Sequence, residues 1–159
     1  MTAEIIIRQY VPDDAQHLAN IYYCTIHNIN SQDYSEDQVN AWAPSSSLDL
    51  TGWKKKWKTI VPLVALIENK IVGFTEFEPH GHIDCFYVHH EYQGVGIGSS
   101  LMNEVFKKAN DLNLKRVFAE VSITAKPFFE SKGFKVVKQQ MVEIRGVELT
   151  NFIMENIKL

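Results

Sequence analysis

A mixed α/β fold follows from three features of this sequence. Seven short runs carry the composition or two-residue rhythm of strands, and helical-period segments separate them unevenly. Three of those runs follow one another between residues 61 and 88 with only turn-length gaps. A doubly wound sheet would alternate strand and helix instead. A glycine-rich stretch then stands between the third of these runs and a long amphipathic segment.

In chain order, residues 3–9 carry Ile5-Ile6-Ile7 and read as a strand. Pro12 with Asp13 and Asp14 signals a helix start, because proline fits the first turn and acids favour the positive end of the helix dipole. Ala15, Leu18, Ala19, Tyr22 and Ile26 then recur at helical spacing. Ser35 followed by Gln38 has the form of a capping box and predicts a short helix through Trp42. Pro44 and three serines make 43–47 a loop, and 48–58 reads as another short helix. Residues 61–67 and 71–77 flank Glu68-Asn69-Lys70, a hairpin turn, and 82–88 is the next strand. Ile97, Leu101, Val105, Ala109 and Leu112 mark the long amphipathic helix. A strand over 116–121 precedes a short helix over 125–132, with Pro127 in its first turn and Gly133 at its C-terminal cap. Residues 134–144 and 147–156 close the chain as an antiparallel pair around Arg145-Gly146. No repeat, linker or low-complexity tract interrupts the chain, so 1–159 reads as a single domain.

Composition narrows the function. A net charge of −3 does not suit a nucleic-acid trap. Two distant cysteines, Cys24 and Cys85, give neither a disulfide framework nor metal-ligand spacing, which points to a reducing compartment. The N-terminus lacks the pattern of a secretory signal, and no apolar run reaches membrane-spanning length. The expectation is a soluble, cytoplasmic protein with no nucleic-acid or membrane partner. His80, His82, His89 and His90 do not suggest zinc, because no acid or cysteine spacing completes a site, so no metal is expected. Lys54-Lys55-Lys56-Trp57-Lys58 reads as a solvated helix face with one buried tryptophan.

The glycine stretch is Gln93-Gly94-Val95-Gly96-Ile97-Gly98. Glycines let backbone approach a ligand, and the free N–H groups of a helix start attract phosphate. It is not a P-loop, since Ser99-Ser100 follows Gly98 with no lysine. It is not a dinucleotide fingerprint either, since the spacing is Gly-x-Gly-x-Gly and the preceding strand follows a hairpin. It resembles the Gln/Arg-x-x-Gly-x-Gly/Ala signature of the GCN5-related N-acetyltransferase (GNAT) superfamily. Ile7-Arg8 with Asp13 or Asp14, Ile71-Val72-Gly73-Phe74, Phe86-Tyr87-Val88-His89-His90 and Phe128-Phe129-Glu130-Ser131-Lys132-Gly133-Phe134 resemble further segments of that family in order. His90 stands where the family usually has proline. Tyr34-Ser35, Gln38 and Ala41-Trp42-Ala43-Pro44 are similar to an uncharacterised bacterial subgroup.

The resemblance implies a mostly antiparallel mixed sheet of about seven strands with helices on both faces. It implies acetyl-CoA as co-substrate and direct transfer of the acetyl group to a primary amine, here expected to be a small molecule. A protein or peptide acceptor, or a non-catalytic acyl-CoA-binding module, are the alternatives, and a homodimer is left open. Backbone groups of Phe86, Tyr87 and Val88 are expected to meet the pantetheine arm. Those of Gln93, Gly94, Val95, Gly96, Ile97, Gly98 and Ser99 are expected to meet the pyrophosphate. Ser122, Thr124, Lys126 and Phe129 are expected along the far side of the arm and the thiol. Tyr34 and Trp42 fall where the acceptor side closes, with Glu76 a further substrate-side residue.

The chemistry needs a proton acceptor, because a free alkylammonium titrates near ~10.4. Strand alternation puts His82, Asp84, Phe86 and Val88 on one face, so His82 or Asp84 is expected to act as base. Many relatives place at 129 a tyrosine that protonates the leaving thiolate, a role Phe129 cannot fill.

Overall fold

The run Ile5-Ile6-Ile7 lies in strand β1 (Ile5–Gln9) of the computed structural model, which describes residues 3–159. β1 turns through Pro12 into helix α1 (Ala15–Asn28). Arg8 fixes this corner, donating to both carboxylate oxygens of Asp14 at 2.7 and 3.0 Å. The Val11 N–H adds a third bond to Asp14 at 2.9 Å. Burial opposes the Asp14 charge, but these donors outweigh it and hold the carboxyl below its ordinary range.

The capping box forms as its spacing predicts. Ser35 N–H donates to Gln38 Oε1 at 2.8 Å, Gln38 N–H returns to Ser35 Oγ at 3.2 Å, and α2 (Glu36–Trp42) follows. Asp49 caps α3 (Leu50–Lys56) by accepting from Thr51 N–H at 2.8 Å. β2 (Leu63–Ile67) and β3 (Lys70–Phe77) are joined by Glu68 and Asn69, both at positive φ, as a tight hairpin requires. β4 (His82–Val88), α4 (Ile97–Asp111), β5 (Val117–Ser122) and α5 (Lys126–Ser131) follow. β6 (Lys135–Ile144) and β7 (Val147–Asn156) meet at a second positive-φ turn, Arg145-Gly146.

The seven strands form one sheet in the order β1-β2-β3-β4-β5-β7-β6. Every neighbouring pair is antiparallel except β4–β5. Both faces carry helices. Leu63, Ala65 and Val72 pack with Ile97 and Leu101 of α4, while Val64, Ile71 and Phe74 pack with Leu18 of α1 and with Trp57. This alternation along β2 and β3 is the two-sided burial that a sheet between helix layers demands. Fully buried Leu101 and Met102 anchor α4, and truncating either to alanine is expected to cost about 2–5 kcal/mol. Gly73 lets α4 approach β3: a Cβ there would meet Ile97 Cγ2 at 3.0 Å and the Tyr87 carbonyl oxygen at 3.1 Å.

Two features of β4 shape the site. It shares only two paired positions with β5, His82↔Phe118 and Ile83↔Ala119, and beyond them the strands part. Against β3, Glu76 pairs with Cys85 and Phe77 with Ile83, so Asp84 is the extra residue of a bulge. The bulge breaks the expected alternation. Ile83 and Phe86 pack toward Met102 and Phe129, whereas Asp84 turns to Lys56 of α3, on the side where Cys85 packs. The single face expected for His82, Asp84, Phe86 and Val88 is therefore corrected.

Candidate active site

Where β4 and β5 part, a cleft of about 430 Å³ opens, within the usual range for a small-molecule site. Its floor is the diverging strands, one wall is the start of α4, and α5 with the end of α1 completes it. Phe86, Tyr87 and Val88 line it from β4, and Ser122, Thr124 and Phe129 from the β5–α5 side. Gln93, Gly94, Gly96, Ile97, Gly98 and Ser99 line its mouth, and Trp42 and Asp84 reach it as well. The cleft thus gathers most of the positions that the sequence singles out.

The glycine loop is built for an anion. Gln93 anchors it by donating from Nε2 to the Val88 carbonyl at 2.8 Å. Gly94 (φ 74°) and Gly96 (φ 95°) hold left-handed conformations, and Gly96 begins α4 with no side-chain cap. The first N–H groups of the helix are thus left for a ligand, at the positive end of its dipole. Gly98 serves packing instead: a Cβ there would lie 3.0 Å from the Phe128 ring of α5.

Three hydroxyls around the β5–α5 turn have distinct duties. Tyr34 accepts from Ile123 N–H at 2.9 Å and donates to the Thr150 carbonyl at 2.7 Å. Thr124 donates to Asp33 Oδ2 at 2.8 Å. Ser122 Oγ accepts from Ala125 N–H at 3.0 Å and from Asn30 Nδ2 at 3.3 Å, so its own proton is uncommitted and the residue lines the cleft.

Several expected site residues stand apart from the cleft. His82 is outside its lining, with Nδ1 2.7 Å from Glu78 and Nε2 2.8 Å from Glu120. Partial burial works against its protonation, but the two carboxylates outweigh it and raise its pKa. With both ring nitrogens engaged by carboxylates and the ring outside the cleft lining, His82 stands apart from the position expected of a base. Glu78, two residues before His80, and Glu120, from β5, supply acids beside these histidines. Glu78, His80 and His82 offer ligand-type atoms within 4.8 Å of one another.

Glu76 is fully buried and accepts from Trp57 Nε1 at 3.1 Å, so it does not touch a substrate. Tyr34 is buried beneath the turn it ties, against the edge of Trp42. Lys126 lies 3.6 Å from Glu130 and over the Phe152 ring, and Val95 is exposed; neither lines the cleft. Phe129 is buried among Phe86, Phe128 and Phe134 and presents an apolar surface to the cleft.

Sequence reasoning missed Lys56 and Glu120. Lys56 Nζ forms ion pairs at 2.6 Å with Asp84 Oδ2 and at 2.7 Å with Glu76 Oε1. The solvated-face reading holds for Lys54, Lys55 and Lys58, and Trp57 is buried as expected, but Lys56 turns inward. Glu120 was visible only as an acid in the alternating strand before Ser122.

A seven-stranded sheet that splits between two parallel strands, with an anion-receptive helix start beside the split, defines the class: an acetyltransferase of the acyl-CoA-using kind. The comparisons agree. Residues 30–156 match the family described as Acetyltransferase (GNAT) domain. The chain is 41% identical over 150 residues, covering 94% of each protein, to YafP of Escherichia coli K12, described as an uncharacterized N-acetyltransferase. A GCN5-related N-acetyltransferase from Rhodopseudomonas palustris superposes with a TM-score of 0.92 at 29% identity, over 99% of this chain and 98% of that one. The fold alone is shared with the PaiA N-acetyltransferase of Thermoplasma acidophilum in complex with coenzyme A (TM-score 0.74, 21% identity, 97% and 99% covered). The chain belongs to the GNAT family and is an N-acetyltransferase. Among the described residues, no helix is long and apolar enough to cross a membrane.

Proposed function

We propose that this enzyme moves the acetyl group of acetyl-CoA directly to the primary amine of a small cationic molecule, both substrates being bound together in the cleft. The observation that carries this reading is Asp84, which the β4 bulge sets in the lining of the cleft with Trp42 and Tyr87. A carboxylate beside aromatic faces suits an alkylammonium, which is drawn to both.

The residues fit the co-substrate. Past Ile83 the β5-facing edge of β4 has no strand rungs, so the outward backbone groups of Phe86 and the Val88 N–H can hydrogen-bond an extended amide-bearing arm, while Tyr87 pairs with β3. The N–H groups from Gly94 to Ser99 can take the pyrophosphate. The thioester supplies an activated acetyl group. Asp84 takes up the proton that the ammonium must lose, directly or through a water held on it. The amine nitrogen then forms the new bond to the acetyl carbon as the carbon–sulfur bond breaks, and the nitrogen's second proton passes to the Ser122 oxygen as Ser122 gives up its own. Ser122, with its hydroxyl proton uncommitted, donates to the departing sulfur; Thr124, already donating to Asp33, does not.

Release of free CoA against panels of small amines and of peptides tests the reading. Turnover with small amines, and its loss by about 10²-fold in Asp84→Asn with CoA affinity retained, is the expected result. Turnover with peptides alone would transfer the reading to a protein acceptor.

A further inference from the structure

We infer that Lys56 is a positioning residue: its ammonium ties Asp84 to buried Glu76 and so holds the proton acceptor in place at the cleft. This rests on the reading of Asp84 as that acceptor.

The geometry singles out one lysine of four. Lys54, Lys55 and Lys58 are exposed, whereas Lys56, the last residue of α3, lays its ammonium 5.6 Å from the Trp53 ring centroid and between two carboxylates at 2.6 and 2.7 Å. Glu76 is fully buried in β3, and a buried carboxylate needs a cation or a proton. Asp84 is the extra residue of a bulge, so strand pairing alone does not dictate its direction. Lys56 answers both needs.

The groups facing Lys56 are Glu76 from β3, Asp84 and Cys85 from β4, and Tyr22 from α1. Burial opposes the lysine's charge, but the groups against it outweigh that and raise its pKa, so it stays protonated. Burial also pushes the Cys85 thiol up, so it is neutral. One ammonium and two carboxylates therefore leave one net negative charge at the edge of the cleft, the sign that an incoming ammonium requires. Without Lys56, the two carboxylates, whose oxygens lie within 4.8 Å of each other, would share a proton. The acceptor would then be occupied until the pH rose enough to remove it.

The experiment is the pH profile of kcat/KM for wild type, Lys56→Met, Lys56→Arg, Asp84→Asn and the double variant Lys56→Met with Glu76→Gln, with folding checked by thermal melts and CoA Kd. Lys56→Met should move the acid limb of kcat/KM up by about one pH unit, with the plateau above the limb and the CoA affinity near wild type. Lys56→Arg should restore the limb. The double variant should restore it too, because it removes the second charge, and it stays informative if Lys56→Met does not fold. A folded Lys56→Met whose acid limb does not move, while Asp84→Asn is inactive, overturns the clamp alone. Were Lys56→Met unfolded, a double variant with its limb away from wild type would overturn it likewise. Full turnover in Asp84→Asn overturns the acceptor reading and the clamp with it.

Discussion

Gly98 and Phe128 are in direct opposition across the cleft mouth: the ring edge stands 3.0 Å from where a Cβ on Gly98 would be. Gly98→Ala should therefore push α5 away from the start of α4 and weaken CoA binding about tenfold or more. Trimming the ring should relieve it, so Gly98→Ala with Phe128→Leu should recover part of the affinity. Calorimetric titration with CoA reads both variants. An unchanged Kd in Gly98→Ala would mean that the contact yields freely. Gly96→Ala differs in kind, since its φ of 95° costs about 1–2 kcal/mol wherever the side chain goes.

Tyr34 holds a backbone group of the β5–α5 turn and one of β7 with one hydroxyl. Tyr34→Phe keeps the ring but leaves Ile123 N–H and the Thr150 carbonyl without that partner, at a cost of about 1–3 kcal/mol. For a chain of this length a cost of that size lowers Tm by several degrees. A melt identical to wild type would show that water replaces the hydroxyl at no cost.

His82 links stability to pH. Its folded-state pKa is raised by Glu78 and Glu120 above an unfolded value of about 6.5, so the stabilisation is complete below about pH 6.5. It is lost as pH rises through the raised folded-state value. His82→Gln should therefore cost about 1 kcal/mol at pH 5.5 and progressively less toward pH 9, Glu120 being solvent-screened. A difference between the two proteins that stays constant over that range would contradict the charge bridge.

Phe129 and Ser122 divide the leaving-group question. With Ser122 able to donate, Phe129→Tyr should bring no rate gain and, being packed among three other phenylalanines, some loss of stability. Ser122→Ala should lower kcat by about tenfold with the CoA Kd near wild type. A tenfold gain in Phe129→Tyr, about 1.4 kcal/mol of barrier, would show that the site lacks a donor.

Much of this was legible in the sequence because it is written locally. The capping box at Ser35, the turn at Arg145-Gly146 and the glycines ahead of Ile97 each follow from residues a few positions apart. What was not legible depends on distant pairing. The bulge at Asp84 exists through the register of β3 against β4, which no alternation within 82–88 reveals. Which of the four lysines turns inward is decided by Glu76 and Asp84, twenty or more positions downstream. His82, one of the two expected bases, stands apart from the cleft because Glu120 arrives from another strand and engages its ring.

The two rungs between β4 and β5 make the sheet a pair of plates joined by a narrow neck. One plate is β1 to β4 and the other β5, β7 and β6, and the His82–Glu120 bridge sits at their crotch. The spread of the plates sets the width of the groove between them. An occupant with amide groups along both edges would act as a strut, bracing the plates as missing rungs would have done.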